Sequence, residues 1–276
     1  MEPLAPCYTQ HLFRPLLAEL VSLLRAIPDE DWQRQTVAPG WRVRDVAAHL
    51  LDVKLRKVAV YRDRHFPHVD KPPVTAAEIA QLVNGLNAGG VQFGARLSPR
   101  LIVDLLEIAG GWVADVIEHL APHERAVFSV SWAGESESEN WMDTGREYTE
   151  HWHHQMQIRD AVGAPKILLQ PEWMTPLLDI SVRALPHTYR AVDAPIGTTV
   201  TLNVTGATAG SWSLVRDAAT WRINAGAGTN PQASVDIAAD DAWRLLYNAP
   251  FDRSRVVVTG DSTLAAPLMR ARSVVL

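Results

Sequence analysis

The sequence predicts a protein of mixed α and α/β class with two parts, an N-terminal four-helix bundle followed by a small α+β domain. Its 276 residues exceed one typical domain and are enough for two hydrophobic cores. Up to about residue 165, apolar residues recur at spacings of three and four, which is typical of amphipathic helices. Beyond that point, short alternating runs typical of strands predominate. We therefore expect one domain over residues 1–165 and a second over residues 166–276.

The N-terminal part contains five candidate helices. The first, LFRPLLAELVSLLRAI, places leucines along one face and ends before Pro28. The fourth begins at Ser98, with Pro99 in the first helical position, where proline forfeits no hydrogen bond. The predicted helices span residues 12–27, 43–63, 76–87, 98–120 and a segment that includes 147–163. Four long antiparallel helices form a bundle, and bundles commonly hold metals between side chains of facing helices.

The C-terminal part mixes short strands with short helices. One more helix is predicted over residues 171–185. Alternating apolar and polar residues then predict strands over residues 198–206, 211–217, 220–224, 233–239 and 254–261. Two further helices are expected, one over 240–250 that begins at an aspartate cap and one over 262–272. This order of elements is typical of a compact α+β unit.

Charge and composition argue against several classes of function. The net charge of −5 and the pI near 6.0 disfavour a nucleic-acid partner, because such proteins normally present a basic face to the phosphates. No segment approaches the roughly 18 apolar residues that span a bilayer, and the first residues lack the pattern of a secretory signal. We expect a cytoplasmic protein without a membrane partner. Cys7 is the only cysteine, so any metal must be held by histidines and carboxylates.

One short segment, EYTEHWHHQMQIRDAVG, concentrates side chains that bind metals. Residues four apart on a helix lie on one face, with Cβ atoms about 5–6 Å apart. Glu147 with His151, and Glu150 with His154, both satisfy this spacing. A catalytic metal with an open coordination position needs a third protein ligand from another element. His49 is the natural candidate, because its position in the second predicted helix places it on the side that faces the bundle interior.

Two distant motifs carry a family resemblance. PGWRVRDVAAHLLD contains a Trp-x-Val-Arg-Asp run followed by Ala-His-Leu, and EHWHHQMQIRDAVG contains Glu-xxx-His with a glycine nine residues further on. Together they resemble the mycothiol-dependent maleylpyruvate isomerase family, part of the DinB-like group of metal-binding four-helix bundles. By that resemblance, His49, Glu150 and His154 correspond to the three metal ligands. The C-terminal part resembles the sterol-carrier-like domain that follows the bundle in this family.

The resemblance implies thiol chemistry at a divalent metal. Two imidazoles and one carboxylate suit zinc best, although nickel, iron and cobalt accept similar ligands. A low-molecular-weight thiol, mycothiol by the resemblance, would enter the open position and react as a thiolate with a small electrophilic substrate. The outcome would be isomerisation or S-transfer. Two alternatives remain: a hydrolase that uses metal-activated water, and a non-catalytic protein in which the metal stabilises the bundle and the C-terminal domain binds an apolar ligand.

The remaining polar groups have simpler interpretations. His151 and His153 are expected to lie partly exposed at the mouth of the site. Arg146 and Arg159 are near the proposed ligands in sequence and could bind a carboxylate of the thiol or of the substrate. Each is equally well explained as an ion-pair partner. A solvated helix face is expected for the basic run of Lys54, Arg56, Lys57, Arg62 and Arg64.

The start of the second helix departs from the family pattern. Arg42 stands where a serine or threonine is usual, so the reciprocal cap with Asp45 is expected to be lost, at a cost of about 1 kcal/mol. This departure concerns stability and leaves the proposed ligands untouched.

Overall fold

A computed structural model describes residues 1–69 and 75–274, which form two compact units. The helical unit comprises Thr9–Ala121 and Glu150–Lys166. The strand unit comprises Met1–Tyr8, Pro122–Thr149 and the described residues from Ile167 onward. The chain therefore passes between the units several times, whereas the sequence pattern predicts a single boundary near residue 165. None of the described helices is long and apolar enough to cross a bilayer.

The helical unit is built from long helices around one apolar core. They are α1 (Phe13–Ala26), α2 (Val43–Tyr61), α3 (Ala76–Gly94), α4 (Pro99–Glu118) and the second half of α5 (Asn140–Val162). Leu20 of α1, Leu50 of α2, Leu106 of α4 and Ile158 of α5 are fully or almost fully buried in the same cluster. Helix α3 packs along α2. The predicted helical bundle is confirmed.

Local sequence explains where two of these helices begin. At α4, Ser98 Oγ accepts a hydrogen bond from the backbone N–H of Leu101 at 3.3 Å, as the Ser-Pro signal predicts. At α2, the backbone N–H of Arg42 donates to Asp45 Oδ2 at 2.9 Å. The Arg42 guanidinium donates to Gln33 Oε1, so it does not cap the helix. The expected loss is thus limited to one of the two bonds of a capping box.

Helix α3 extends seven residues beyond its predicted end. The prediction was too short because the C-terminal half of the helix is glycine-rich and glycine lowers helix propensity. The glycines serve close packing. A methyl group at Gly94 would overlap Cβ of Ala48 on α2, and one at Gly90 would overlap the side chain of Asp52. Small residues therefore let α3 lie directly against α2, an advantage that a propensity scale does not register.

The strand unit is organised around one six-stranded sheet with the order β1-β4-β3-β2-β5-β6. Its strands are β1 (Glu2–Pro3), β2 (Thr199–Thr205), β3 (Gly210–Arg216), β4 (Trp221–Ala225), β5 (Ala233–Ala238) and β6 (Val257–Gly260). Only β2 and β5 pair in parallel. Because β1 pairs with β4, the first residues of the chain belong to this unit. The predicted α+β unit is confirmed.

Four helices accompany the sheet: α6 (Pro171–Ser181), α7 (Ala184–Thr188), α8 (Ala239–Leu246) and α9 (Ser262–Ala265). The single helix predicted over 171–185 is wrong, since the helix is interrupted at Val182 and Arg183. Pro186 cannot donate to the carbonyl of Val182, which accepts from the N–H of Leu185 instead. The predicted closing helix over 262–272 also stops early. Pro267 removes the next helical hydrogen bond, and only a short 3₁₀ turn follows.

Candidate metal centre

Helices α2 and α5 bring the three predicted ligands together within the helical unit. His49 Nε2 lies 3.2 Å from Glu150 Oε1, and His154 Nε2 lies 3.1 Å from the same oxygen. One ligand atom from each residue lies within 4.8 Å of the other two. Glu150 and His154 share a face because they are four residues apart on α5. The sequence thus identified three side chains that meet at one point.

The three side chains of the cluster differ in exposure. The side chain of His49 is 1% exposed and that of His154 is 10% exposed, whereas Glu150 keeps 24% of its side chain accessible. Apolar neighbours such as Val46 and Leu50 enclose the His49 side of α2. Of the three side chains, that of Glu150 therefore has the most accessible surface.

The donor set fits a divalent metal. Ligand atoms bound tetrahedrally at about 2.0–2.2 Å lie roughly 3.3–3.6 Å from one another, close to the two distances observed. His154 Nδ1 lies 2.9 Å from Gln157 Oε1, an acceptor that can hold the ring proton on Nδ1 and so free Nε2 for a bound metal. Among the described residues, His49 Nδ1 is buried without a hydrogen-bond partner. His49 therefore has its one polar contact at Nε2, toward the candidate metal position.

Electrostatics favour a neutral His49 and an ionised Glu150. Burial, followed by the charge of His154, lowers the pKa of His49 and favours a neutral imidazole. Burial also opposes ionisation of Glu150, but the charge and hydrogen bonds of His154 and His49 outweigh it and hold its pKa well below the usual range. The cluster combines a carboxylate with a neutral imidazole, as a metal site needs.

Trp41 covers the two imidazoles, a contact that the sequence motif did not explain. Its ring centroid lies 4.9 Å from that of His49 and 6.0 Å from that of His154, with the latter pair stacked at 22°. The two imidazole centroids are 4.6 Å apart. The tryptophan of the Trp-x-Val-Arg-Asp run thus shields the ligands from water and restricts their ring orientations.

The expectation that His151 and His153 lie exposed at the mouth of the site is wrong. Both are buried, with 7% and 3% of their surface exposed. Lys54 Nζ donates to His151 Nε2 at 3.1 Å, and the ring of Phe13 meets that imidazole edge to face. Burial, followed by the charge of Lys54, holds the pKa of His151 well below its usual value. The His153 ring packs on that of His154, with centroids 4.0 Å apart.

The solvated helix face predicted for the basic run is correct only in part. Lys54 and Lys57 are 3% and 5% exposed. Lys57 Nζ lies 3.7 Å from the centroid of the Tyr61 ring, a cation–π contact. The pattern misled because both lysines fall on the face of α2 that carries apolar core residues such as Leu50 and Val58, where long side chains bury their stems.

The two arginines near the ligands in sequence form ion pairs away from them. Arg146 bonds to Asp143 Oδ1 and Glu147 Oε1, each at 2.6 Å. Glu147 is thereby engaged in an ion pair outside the cluster, so it does not form the alternative ligand pair with His151. Arg159 pairs with Glu19 Oε2 at 3.2 Å.

Comparisons with known proteins agree with the motifs. A family model described as the mycothiol maleylpyruvate isomerase N-terminal domain matches residues 13–159, more than half of the chain. A crystal structure of the mycothiol-dependent maleylpyruvate isomerase and one of its histidine-to-alanine mutant are similar in fold, with TM-scores of 0.56 and 0.53. Each is 12% identical in sequence, and each match covers 91% of both chains. No curated protein matches the sequence.

The two kinds of match support different statements. At 12% identity, the solved structures establish a shared fold, a helical part followed by a strand-rich part. The family match rests on the sequence, and its range includes His49, Glu150 and His154. The chain belongs to the mycothiol maleylpyruvate isomerase family.

Proposed function

We propose that the protein is a metal-dependent enzyme that uses mycothiol as the nucleophile to isomerise a small electrophilic substrate. One observation carries this proposal: two imidazole nitrogens converge on one carboxylate oxygen, in a chain whose family is named for a mycothiol-dependent reaction. His49, Glu150 and His154 are the proposed ligands. Zinc is the proposed metal, because two histidines and one glutamate form a familiar catalytic set for it.

A bound divalent metal would lower the pKa of a thiol that enters its open position, so that the thiolate predominates near neutral pH. Two features of the chain would favour this lowering of the thiol pKa. Its two imidazoles and one carboxylate leave a net charge near +1 at the site, and Trp41 excludes water from the imidazole side. The accessible edge at Glu150 gives the thiol its approach.

The proposed reaction needs only reversible addition. The sulfur of the thiolate forms a bond to one carbon of an activated double bond, and the π electrons move onto the activating carbonyl. Rotation about the resulting single bond, followed by return of the electrons from the carbonyl and expulsion of the same thiolate, gives the geometric isomer and regenerates the thiolate. If the adduct is protonated and released, the result is S-transfer. Maleylpyruvate, named for the solved relatives, is the first substrate to test.

The protein does not offer a sulfur of its own for this chemistry. Cys7 belongs to the strand unit, and burial followed by the charge of Asp179 raises the pKa of its thiol to about 11. A thiol with that pKa is almost entirely protonated at neutral pH and is a poor nucleophile. A cosubstrate that brings its own thiol is therefore required.

Metal analysis and activity measurements test the proposal together. The purified protein is expected to contain about one equivalent of zinc and to isomerise maleylpyruvate only when mycothiol is present. His49→Ala and Glu150→Gln should lose both metal and activity. His119→Gln is the matched control, because His119 is an exposed histidine of the same unit, bonded to the carbonyl of Asp115.

The same measurements separate the alternatives. Turnover of ester or amide substrates without any thiol would favour the hydrolase. The non-catalytic binding protein would be favoured if the wild type binds a fatty-acyl ligand, the two metal-free variants bind it equally well, and no turnover of either kind is seen. Full metal content and activity in both ligand variants would contradict the proposed site.

A further inference from the structure

A groove runs between α2 and α3 in the helical unit. Its volume is about 640 Å³, within the range of sites that hold drug-sized molecules. Polar and apolar side chains share its lining, among them Asp52, Arg56, Gln81, Leu82, Leu86 and Phe93. Gly85 and Gly89 border open space on the α3 side, since a methyl group at either would meet no neighbouring atom within 4 Å.

The groove adjoins the flank of α2 that carries His49. Asp52 and Arg56 follow His49 by three and seven residues, so the three side chains project from one side of the helix. At 1.5 Å per residue, Arg56 lies roughly 10 Å along the axis from His49. A molecule with its sulfur at the metal centre and a tail of about that length would reach the groove.

The polar groups of the groove are held in place before any ligand arrives. Arg56 Nε donates to Asp52 Oδ2 at 2.8 Å, and Arg56 Nη2 donates to Asn87 Oδ1 at 2.9 Å. These bonds use two of the five guanidinium N–H groups. The Arg56 and Asp52 side chains remain 27% and 22% exposed, so both present hydrogen-bonding atoms at the groove surface.

Charge indicates which part of a ligand the groove accepts. Among the described lining residues Asp52 and Glu78 are acidic and Arg56 is basic, so their net formal charge is −1. A doubly anionic dicarboxylate would be repelled there. A neutral molecule rich in hydroxyl groups can instead bond to the carboxylate and the guanidinium, and the 47% exposed ring of Phe93 offers an apolar surface beside them.

We propose that the groove between α2 and α3 binds the hydroxyl-rich tail of the thiol cosubstrate while its sulfur occupies the metal centre. This inference rests on the proposed function. In mycothiol the tail is a neutral glucosaminyl inositol, joined to N-acetylcysteine through an amide. Arg56 and Phe93 are then specificity residues that distinguish mycothiol from smaller thiols, and the electrophilic substrate enters elsewhere.

Calorimetric titration of the zinc-loaded protein with three probes tests this assignment. The probes are mycothiol, N-acetylcysteine, which lacks the tail, and N-acetylglucosaminyl inositol, which lacks the sulfur. Arg56→Gln and Phe93→Ala should each weaken mycothiol and the sulfur-free probe about tenfold and leave N-acetylcysteine unchanged. Arg62→Gln is the matched control, since Arg62 directly follows the last residue of the same helix, is half-exposed and pairs with Asp63 outside the groove.

The outcomes separate this inference from the proposed function. Unchanged mycothiol affinity in both groove variants would overturn the groove assignment and leave the metal centre standing. Binding of the sulfur-free probe that depends on Arg56, in a protein that binds neither thiol, would support the groove and overturn the proposed thiol chemistry. Failure of wild-type protein to bind either tail-bearing probe would overturn the groove. Because Phe93 is largely exposed, Phe93→Ala tests the groove even if Arg56→Gln misfolds.

Discussion

Replacing Gln157 should weaken metal binding although Gln157 touches no metal. Its Oε1 lies 2.9 Å from His154 Nδ1, in a buried position on α5. With a metal bound, that contact would hold the proton of His154 on Nδ1 and leave the lone pair of Nε2 for the metal. Without the acceptor, the ring can adopt the other tautomer or rotate away, and the free energy of correct placement must come from metal binding itself.

The structure sets the size and the direction of the effect. Gln157→Leu keeps approximate volume but removes the acceptor and leaves the buried Nδ1–H of His154 unpaired, so metal affinity should fall by about 10–100-fold, or about 1.4–2.7 kcal/mol. Gln157→Glu retains an acceptor and makes the imidazole more basic. This variant should bind metal at least as tightly as the wild type, although both changes fall at the same residue.

Competition with a chromophoric chelator measures the metal affinity of both variants, and circular dichroism checks that each is folded. Gln155→Leu provides a nearby control, because residue 155 is equally buried on α5 but lies outside the ligand cluster. Equal zinc affinity in Gln157→Leu and the wild type would refute the argument that Gln157 orients His154 for metal binding. Equal losses in Gln157→Leu and Gln157→Glu would refute the role of the acceptor.

Three further predictions concern stability and reactivity. Gly94→Ala should lower the free energy of unfolding by about 1–3 kcal/mol, because the methyl group overlaps Ala48. Gly111→Ala, with open space around it, should raise the free energy of unfolding by about 0.5–1 kcal/mol. Denaturant titration compares the two variants, and equal effects would contradict the close packing of α3. In metal-free protein, the folded-state pKa of His151 lies well below 6.5, so at acidic pH the unfolded chain binds a proton that the folded chain does not. The free energy of unfolding should therefore fall as the pH drops below about 6.5, by up to about 1.4 kcal/mol per pH unit. In His151→Gln this fall should be less steep. Alkylation of Cys7 at pH 8 should run about 100-fold slower in the native protein than in denaturant, and fast native labelling would contradict its raised pKa.

The sequence located the candidate site better than it described the site's surroundings. His49, Glu150 and His154 could be found because two motifs far apart in the chain each mark a ligand position. Their neighbours lacked such a signal. Lys54 was expected in solvent, since a charged residue on a helix usually lies there, and only the fold shows that a buried imidazole accepts its hydrogen bond.

Helix α5 shows why the periodicity of apolar residues could not predict the surroundings of the site. Periodicity identifies a helix by an apolar stripe, but this helix buries polar side chains on several sides, including His151, His153 and Gln155. Burial of each such group is unfavourable unless a partner compensates. The partners come from other elements, as Lys54 of α2 does for His151, and a single sequence does not record which distant residues meet.

The polar interior of α5 also bears on how the fold and the site are related. A bundle selected for stability alone would fill these positions with leucine and isoleucine, since well-packed apolar residues match or exceed buried ion pairs in stability. Here the rings of His153 and Trp41 pack on His154, and Gln157 orients it. A histidine that only completed a core would need none of this support. The bundle places its least favourable buried groups around two imidazoles and a carboxylate, and an arrangement of this kind is understandable if those three side chains must hold a fixed geometry while one edge stays open to a reactant.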